Sequence, residues 1–423
     1  MPKITKIIAR QILDSRATPT IETKVTLDNG IEGIDSVPSG ASTGKDEALE
    51  LRDNNPAVYM GKSVLNAVNN VNNIIAPRLI GADVENQQEI DKLLIDLDGT
   101  PNKGKLGANS ILSVSMSTVR AAATTNNLPL YKYIRDIAER MVIKLSPLSV
   151  PIPLFNVING GKHGAGNLNI QEFMIIPASN KTYHEALQIG VEIYHKLKET
   201  LIFRNAVASV GDEGGFAPNL STNIDALEAI AEAIRNSNYR LGVDVFLGLD
   251  LAASVFLKNG RYQLIDRAQA YSPDEFIEYL TILQDEYKML LFEDPFGEEE
   301  WDTWVKFTSK LGDKVFVVGD DLLVTNPKKL DQAIKTHACN SILVKLNQIG
   351  TFTQTLEVVK NALAAGFKNI VSHRSGETTD TFVSDLAVGL SADYVKFGAP
   401  ARGERVVKYN RLLEIEEELS QKS

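Results

Sequence analysis

The sequence predicts an α/β protein whose carboxyl-terminal part is a closed barrel of parallel strands, preceded by a smaller domain. At 423 residues the chain is too long for one small domain. In its second part, short apolar runs each end in a charged residue, and helical patterns separate the runs. The last five of these charged residues follow one another at intervals of 27, 25, 28 and 23 residues, which suits one strand and one helix per unit.

The first part of the chain combines strand and helix patterns. The run from Ile21 to Leu27 alternates in polarity and is followed by Asp-Asn-Gly, which predicts a strand that ends in a turn. Asn109 to Ala123 starts with an amide cap candidate and carries apolar residues at helical spacing, which predicts a helix. Prolines cluster between residues 147 and 153 and restrict the backbone there. We therefore expect two domains, residues 1–140 and residues 141–423.

Six apolar runs in the second part predict barrel strands. They are continuous rather than alternating, which is typical of parallel strands buried on both faces. Each run precedes one charged residue: Val245–Leu249 precedes Asp250, Met289–Phe292 precedes Glu293, Val315–Gly319 precedes Asp320, Ser341–Val344 precedes Lys345, Asn369–Ser372 precedes His373, and Asp393–Val395 precedes Lys396.

A closed barrel would bring these six charged residues together at the carboxyl ends of its strands, where such folds place their active sites. The alternative is that each charge only caps a strand at the solvent boundary, but six in series, of both signs, favour a site. Asp250, Glu293 and Asp320 are hard oxygen ligands from three successive units, which suits magnesium better than zinc. Acidic residues also occur there for other reasons, so spacing alone leaves the metal open.

Composition excludes several classes of function. A net charge of −10 argues against a surface built for nucleic acid, because phosphate backbones need clustered cations. The single cysteine, Cys339, cannot form an intramolecular disulfide, which favours a cytoplasmic protein. Residues 1–14 mix cations into apolar positions, so we expect no signal peptide. We also expect no membrane span, because no stretch is long and apolar enough.

Two glycine-rich segments are interpreted as loops that close over a ligand. Residues 40–46 superficially resemble a phosphate loop, but the segment is one residue short and has Asp46 where Ser or Thr would bind metal. Residues 160–166 lack the spacing of a dinucleotide fingerprint. Among the five histidines, His163 in the second loop and His373 beside Arg374 and Ser375 are the best functional candidates.

Ten short motifs, spread in order along nearly the whole chain, together resemble the enolase family. Such a series is far more specific than any single glycine pattern. The motifs are Asp14-Ser-Arg16, Ser39-Gly-Ala-Ser-Thr-Gly44, Gly107-Ala-Asn-Ser110, Gln171-Glu-Phe-Met174, Gly211-Asp-Glu-Gly-Gly215, Glu293-Asp-Pro295, Gly319-Asp-Asp321, Lys345-Leu-Asn-Gln-Ile-Gly350, Ser372-His-Arg-Ser-Gly-Glu377 and Gly398-Ala-Pro400.

The resemblance implies an amino-terminal α+β capping domain and a carboxyl-terminal TIM-type barrel whose first units are irregular. It implies a magnesium-dependent lyase that interconverts 2-phosphoglycerate and phosphoenolpyruvate, with two Mg²⁺ ions per active site. A homodimer or a ring of dimers is implied as well. So is a cytoplasmic location, with secondary display at the cell surface allowed.

The resemblance also assigns roles to residues. Lys345 would be the base and Glu213 the acid, with His163 and Glu172 in the catalytic group. Asp250, Glu293 and Asp320 would hold the first magnesium ion, and Ser42 would help to bind the second. The residues that would surround the substrate are His163, Gln171, Glu172, Lys345, His373, Arg374, Ser375 and Lys396.

The elimination that the resemblance implies requires these residue types. Removing a proton beside an ionised carboxylate puts two negative charges on one group, which strong local cations make tolerable. We expect nearby cations and burial to lower the pKa of Lys345, and crowding by Glu172 to raise the pKa of Glu213. Five residues depart from the family pattern. Ala17 and Thr18 replace Gly and Asn, Thr379 replaces Glu, and Phe397, beside Lys396, and Gly403 replace Thr and Ser.

Two other functions stay open from the sequence. The first is a different member of the superfamily, such as an acid-sugar dehydratase or racemase with the same metal triad. Those relatives lack the 39–44 loop and the Ser372-His-Arg-Ser375 phosphate site, so dependence on a phosphorylated substrate would discriminate. The second is a non-catalytic surface receptor or scaffold. Robust turnover would exclude a purely non-catalytic role.

Overall fold

The computed structural model describes residues 1–40, 44–164 and 167–421. It has a small amino-terminal domain followed by a closed barrel of eight strands surrounded by helices, which confirms the predicted fold class. The last helix of the amino-terminal domain ends at Arg140, and the first barrel strand begins at Ile152. In the described part of the chain, we find no helix with the length and apolar character needed to cross a membrane.

The amino-terminal domain packs helices against an antiparallel sheet of three strands. The predicted strand is confirmed as the second of them, and the predicted helix is confirmed over Ala108–Thr125. The strands are β1 (Ile4–Leu13), β2 (Pro19–Leu27) and β3 (Glu32–Ser36). The helices are α1 (Leu65–Asn70), α2 (Ala76–Leu79), α3 (Gln87–Asp98), α4 (Ala108–Thr125) and α5 (Leu130–Arg140), with a 3₁₀ turn over Tyr59–Gly61 and a π turn over Val71–Ile75.

Helix α4 is buried along most of its length although it is rich in serine and threonine. Several of its hydroxyls donate to backbone carbonyls: Ser117, for example, donates to the carbonyl of Ser113 in its own helix and to that of Thr23 in β2. Buried polar groups are tolerated when they are hydrogen-bonded, so this helix can lie between the sheet and the barrel side of the domain.

The amino-terminal domain contacts the barrel through the turn between β1 and β2 and through the segment after β3. Ala17, the residue that replaces a glycine, adopts a left-handed φ of 55°, a conformation that costs an L-residue about 1–2 kcal/mol. The Asp14 carboxylate accepts the Thr18 N–H at 2.8 Å and holds the turn. The backbone of Ser39 exchanges two hydrogen bonds, of 2.8 and 2.9 Å, with Gly376 of the barrel. The departure at Ala17 therefore leaves a tight turn in place beside the site loops.

The barrel closes in the order β4-β5-β6-β9-β10-β11-β12-β13 and back to β4. Its strands are β4 (Ile152–Asn159), β5 (Glu172–Pro177), β6 (Val245–Asp250), β9 (Met289–Glu293), β10 (Phe316–Gly319), β11 (Ser341–Val344), β12 (Lys368–Ser372) and β13 (Tyr394–Lys396). A small hairpin, β7 (Leu257–Lys258) with β8 (Arg261–Tyr262), lies outside it. All six predicted runs are barrel strands.

Strand β5 runs antiparallel to both of its neighbours, β4 and β6. The segment between β4 and β5 is too short for a crossover helix, and its described residues contain only a 3₁₀ turn over Gly161–His163. The chain therefore reverses directly into β5, and two helices, α6 (Tyr183–Phe203) and α7 (Asn223–Arg235), carry it to β6. This is the irregular start of the barrel that the resemblance implied.

Helices cover the outside of the barrel, and several begin with a complete capping box. Thr182, Thr222 and Ser272 each cap a helix and accept a backbone N–H from the third helical residue. The helices are α6 (Tyr183–Phe203), α7 (Asn223–Arg235), α8 (Pro273–Tyr287), α9 (Trp301–Leu311), α10 (Pro327–Thr336), α11 (Leu346–Ile349), α12 (Phe352–Ala364), α13 (Phe382–Gly389) and α14 (Gly403–Ser420), with a 3₁₀ turn over Ala253–Val255.

One cluster of buried apolar side chains, drawn from seven of the eight barrel strands, packs together separately from the main core. Its members are Leu154, Met174, Ile176, Leu291, Val318, Leu343, Ile370 and Tyr394. The six charged residues stand at or just beyond the strand ends, so chemistry is confined to that rim.

Gly190 of α6 lies where the helix approaches the barrel most closely. A Cβ there would lie 2.3 Å from a ring carbon of Phe155 in β4. We expect Gly190→Ala to lower the melting temperature, because overpacking costs about 1–3 kcal/mol. The gain in helix propensity, about 1 kcal/mol, does not offset the upper part of that range. Gly403→Ala is the matched control, since its Cβ would meet nothing within 4 Å. An equal effect of the two changes on thermal melting would contradict this packing.

Candidate active site

The six predicted charged residues converge on one rim of the barrel. Asp250, Glu293 and Lys396 end their strands, and the other three directly follow theirs. Glu172 joins them because β5 is antiparallel: it begins that strand and pairs in register with Asp250 at the end of β6. One cavity is lined by His163, Gln171, Glu172, Glu213, Asp250, Asp320, Lys345, Ser372, His373, Arg374, Ser375 and Lys396.

The amine of Lys396 lies among three buried carboxylates. Its Nζ is 2.7 Å from Glu293 Oε2, 3.0 Å from Asp250 Oδ2 and 3.3 Å from Glu172 Oε2. Burial opposes the charged amine, but attraction to Asp250 and Glu172 outweighs burial and raises the pKa of Lys396 well above its usual value. Gln171 also donates to Asp250, at 3.2 Å. Lys396 is therefore a fixed positive charge at the centre of the acidic group.

Lys345 forms an ion pair with Asp320, the residue that follows the neighbouring strand β10. The other oxygen of Asp320 accepts a hydrogen bond from Gln348 Nε2 at 2.9 Å. Burial and the repulsion by Arg374 lower the pKa of Lys345, but the charges of Asp320 and Glu293 together outweigh them, and the pKa is raised. The expected lowering is therefore wrong for this structure, because the nearest charge to the amine is negative.

Glu213 comes from the segment between α6 and α7 and is buried between two histidines. Its Oε1 lies 3.6 Å from His163 Nδ1 and its Oε2 lies 3.3 Å from His373 Nε2. Asn156 of β4 donates to the same carboxylate at 3.2 Å. Burial alone would raise the pKa of Glu213, but His163 and His373 lower it well below the usual value. The expected rise is therefore wrong for this structure.

The raised carboxylate pKa belongs instead to Glu172. Its Oε1 lies 3.3 Å from His163 Nδ1. Burial and the neighbouring charge of Glu213 raise the pKa of Glu172, while Lys396 and His163 only partly compensate. The pKa of His163 is raised too, because Glu213 and Glu172 outweigh burial. The predicted crowding of the two glutamates exists, but it raises the pKa of Glu172 rather than that of Glu213.

Arg374 is fixed by partners from two domains. Its guanidinium donates to the Glu47 carboxylate of the amino-terminal domain at 3.0 and 3.3 Å and to Asn347 Oδ1 at 2.8 Å. Ser375, the next residue, places its hydroxyl 3.2 Å from His163 Nε2. A guanidinium and a hydroxyl at the cavity wall can both donate hydrogen bonds to phosphate oxygens.

The sequence motifs contained several site residues to which no role was assigned. Asn347 and Gln348 stand in the motif that begins at Lys345, and Glu47 follows the 39–44 loop by three residues. Their positions within these motifs, or close behind one in the case of Glu47, were the only signal. Arg405, in the first turn of α14, contacts His373, and nothing in its sequence surroundings indicated this. Ser42 lies outside the described residues.

The carboxylates fit a hard divalent cation by their chemistry. Glu293 Oε1 is buried and accepts no hydrogen bond within the described part of the chain. Burial and the charge of Asp250 raise the pKa of Glu293, and a cation would relieve that repulsion. The described acidic groups with ligand atoms within 4.8 Å of one another are Asp294 with Asp320 and Asp321, and Glu172 and Glu213 with His163. Asp320 thus belongs both to the predicted triad and to a compact acidic group.

Phe397, the departure beside Lys396, is fully buried outside the cavity lining. Its ring packs against Tyr409 of α14, with 5.9 Å between centroids. Neighbouring residues of an extended chain point in opposite directions, so Lys396 faces the rim while Phe397 faces the helices. The change to phenylalanine therefore fills the layer between barrel and helices.

Two family models match the chain and together span nearly all of it. The model described as "Enolase, N-terminal domain" matches residues 4–134, and the model described as "Enolase, C-terminal TIM barrel domain" matches residues 147–423. The two matches agree with the small first domain and the barrel seen in the structure. The chain therefore belongs to the enolase family and is an enolase-type lyase.

Proposed function

We propose that this protein interconverts 2-phosphoglycerate and phosphoenolpyruvate plus water by stepwise elimination. The observation that carries the proposal is that Lys345, Glu213 and Arg374 line one buried cavity. An amine, a carboxyl group and a guanidinium are the base, the acid and the phosphate ligand that this elimination requires. Membership of the family supports the same reaction class.

Lys345 is the proposed base that removes the C2 proton. Asp320 holds its ammonium in place and raises its pKa, so the resting site stores the amine in its charged form. Asp320 is also a proposed metal ligand. A cation held by Asp320 would offset part of its negative charge and so weaken the attraction that favours the charged form of Lys345.

Glu213 is the proposed acid for the departing hydroxyl group. Its own pKa is low in the structure, so its proton has to come from neighbours. Glu172 and His163 both have raised pKa values, and His163 Nδ1 lies within 3.6 Å of carboxylate oxygens of both glutamates. We assign the proton to this group of three, from which it reaches Glu213 through His163.

Mg²⁺ is the proposed cofactor, with two ions per active site. Asp250, Glu293 and Asp320 would hold the first ion, and Ser42 would help to hold the second. When bound, Mg²⁺ supplies positive charge against the second negative charge that proton removal puts on the substrate carboxylate. Lys396 adds a fixed positive charge of the chain's own beside the same carboxylates.

Arg374 and Ser375 are the proposed phosphate ligands, with Gln171 and His373 completing the substrate pocket. We expect Arg374→Met to raise the KM for 2-phosphoglycerate about 10- to 100-fold, since a charge-assisted hydrogen bond contributes about 1.5–3 kcal/mol. Arg235→Met, on the exposed side of α7, is the matched control. Steady-state kinetics measure both. An unchanged KM for Arg374→Met would remove this residue from the phosphate site.

A different sugar-acid dehydratase or racemase of the superfamily is the second candidate. The two readings differ in their need for phosphate. Purified protein with Mg²⁺ should convert 2-phosphoglycerate but leave unphosphorylated glycerate and aldonic acids untouched. Turnover of a phosphate-free acid at a comparable kcat/KM would favour the second candidate.

The oligomeric state of the enzyme is also a proposal. We infer a homodimer or a ring of dimers, because symmetric assemblies are the usual state of such proteins. Sedimentation that shows only monomer at micromolar concentration would contradict this.

A cytoplasmic location is proposed on the buried free thiol of Cys339, with display at the cell surface as a secondary role. Domain boundaries at 1–140 and 141–423 are proposed as well.

A further inference from the structure

His373 and Arg405 form a contact whose chemistry determines where the histidine carries its proton. Arg405 Nη1 lies 2.7 Å from His373 Nδ1, and both residues are buried. A guanidinium has only N–H donors and keeps its charge in proteins. The ring nitrogen that faces it must therefore accept, which means that Nδ1 carries no proton.

The position of Arg405 does not depend on the histidine. Its guanidinium also donates to the backbone carbonyl of Arg374 at 2.7 Å, of Ser375 at 2.5 Å and of Asp212 at 3.3 Å. These three carbonyls hold the guanidinium in place, so the fold determines its approach to Nδ1. The guanidinium is therefore part of the surface against which the His373 ring packs.

The opposite ring orientation is excluded by the same contacts. Turning the ring by 180° would place carbon atoms at both nitrogen positions. The contact with Arg405 and the 3.3 Å contact of Nε2 with Glu213 Oε2 would both be lost. A Cβ on Gly398 would lie 3.0 Å from His373 Cε1, so the ring is also closely packed from that side.

We propose that Arg405 is a positioning residue that holds His373 as the neutral Nε2–H tautomer, so that His373 presents a donor to Glu213 but does not deliver a proton to it. A cationic ring would set Nδ1–H against a guanidinium N–H, and the Nδ1–H tautomer would do the same. Only the neutral Nε2–H form satisfies both neighbours. The tautomer of His373 follows from its contacts alone. Its consequence for catalysis rests on the proposed function, in which Glu213 is the acid.

The charges around His373 agree with this assignment. Burial, Arg405 and Lys396 lower its pKa to about 3, although Glu213 acts in the opposite direction. His163, the other histidine at Glu213, has Ser375 rather than a guanidinium at its second nitrogen, and its pKa is raised. The two histidines therefore differ in role: His163 can transfer a proton, whereas His373 keeps a single neutral tautomer. The proton for Glu213 then arrives from the Glu172 side only.

The test is the protonation pattern of His373, read by NMR on the full-length protein with ¹⁵N-labelled histidine rings and no substrate. The His373→Gln spectrum identifies its signals among those of the five histidines. We expect protonated Nε2 and bare Nδ1, unchanged between about pH 5 and pH 9, a range that spans the ordinary histidine pKa. A ring protonated on both nitrogens near neutral pH, or an Nδ1–H tautomer, would overturn the proposal.

Two variants separate positioning from mere packing. Arg405→Lys keeps a charged donor and should retain the tautomer, whereas Arg405→Met should let His373 titrate within the measured range. A His373 that stays locked in a folded Arg405→Met protein would contradict the role of Arg405. If that variant fails to fold, the wild-type tautomer still decides. The spectra require no turnover, so the proposal and the proposed function fail independently.

Discussion

Lys345→Ala is expected to abolish exchange of the substrate C2 proton with solvent. Lys345 is the proposed base, and the neighbouring amine of Lys396 is held by three carboxylates in its charged form. A general base contributes about 100- to 10,000-fold, so overall turnover should fall at least that far. Proton NMR of 2-phosphoglycerate in D₂O measures exchange and turnover together. Lys335→Ala, on the exposed face of α10, is the matched control.

Glu213→Gln should separate the two proton transfers. It should stop overall turnover to a similar degree but retain C2 exchange, because the base and the cations remain while the hydroxyl group lacks its acid. If Glu213→Gln lost exchange while Lys345→Ala kept it, the assigned roles would be reversed. Loss of exchange in both variants would mean that the elimination is concerted.

Removal of divalent metal is expected to abolish turnover, and Glu293→Gln is expected to weaken Mg²⁺ binding. One oxygen of Glu293 contacts Lys396, and the other is buried with no hydrogen-bond donor among the described residues. Loss of this charge should weaken binding by more than about 10-fold, the lower limit for altering even an outer-shell partner. Calorimetric titration of the protein with Mg²⁺, without substrate, measures it directly.

The control for this prediction is a carboxylate far from the rim. Glu278→Gln, on the exposed face of α8, removes the same charge from the chain and should leave the Mg²⁺ titration unchanged. Full turnover after exhaustive chelation would contradict the metal requirement. An unchanged titration of Glu293→Gln would remove this residue from the ligand set.

The barrel was predictable because parallel strands buried on both faces leave a plain trace in the sequence. The run Ser341–Val344 is the observed β11, and Met289–Phe292 is β9 without its last residue. The direction of β5 is harder to predict, because one short strand looks alike in either direction. The sequence indicates only that β4 and β5 lie too close together for an intervening helix, and the family resemblance implied irregular first units without giving the direction of the strand.

The membership of the site was predictable, but its electrostatics were not. Strand ends converge by the geometry of a barrel, so Asp320 and Lys345 could be placed at one rim from spacing alone. Their direct ion pair, which raises the pKa of Lys345, depends on rotamers and on neighbouring strands. Glu213 was expected beside Glu172, yet the two histidines that flank it outweigh that crowding.

Arg405 illustrates a further limit of sequence analysis. It lies 32 residues from His373, in the first turn of α14. An arginine in such a place is usually solvated, whereas this one is completely buried. Its role depends on the packing of α14 against the loop that follows β12, which no local motif records.

The most direct test of the central claim is the approach to equilibrium from both sides. Purified protein with Mg²⁺ is mixed with 2-phosphoglycerate in one sample and with phosphoenolpyruvate in another, and both are followed by ³¹P NMR. We expect conversion in each direction to the same final ratio, and no conversion with the Lys345→Ala protein. Absence of conversion in both samples, from a folded protein shown to bind Mg²⁺, would contradict it.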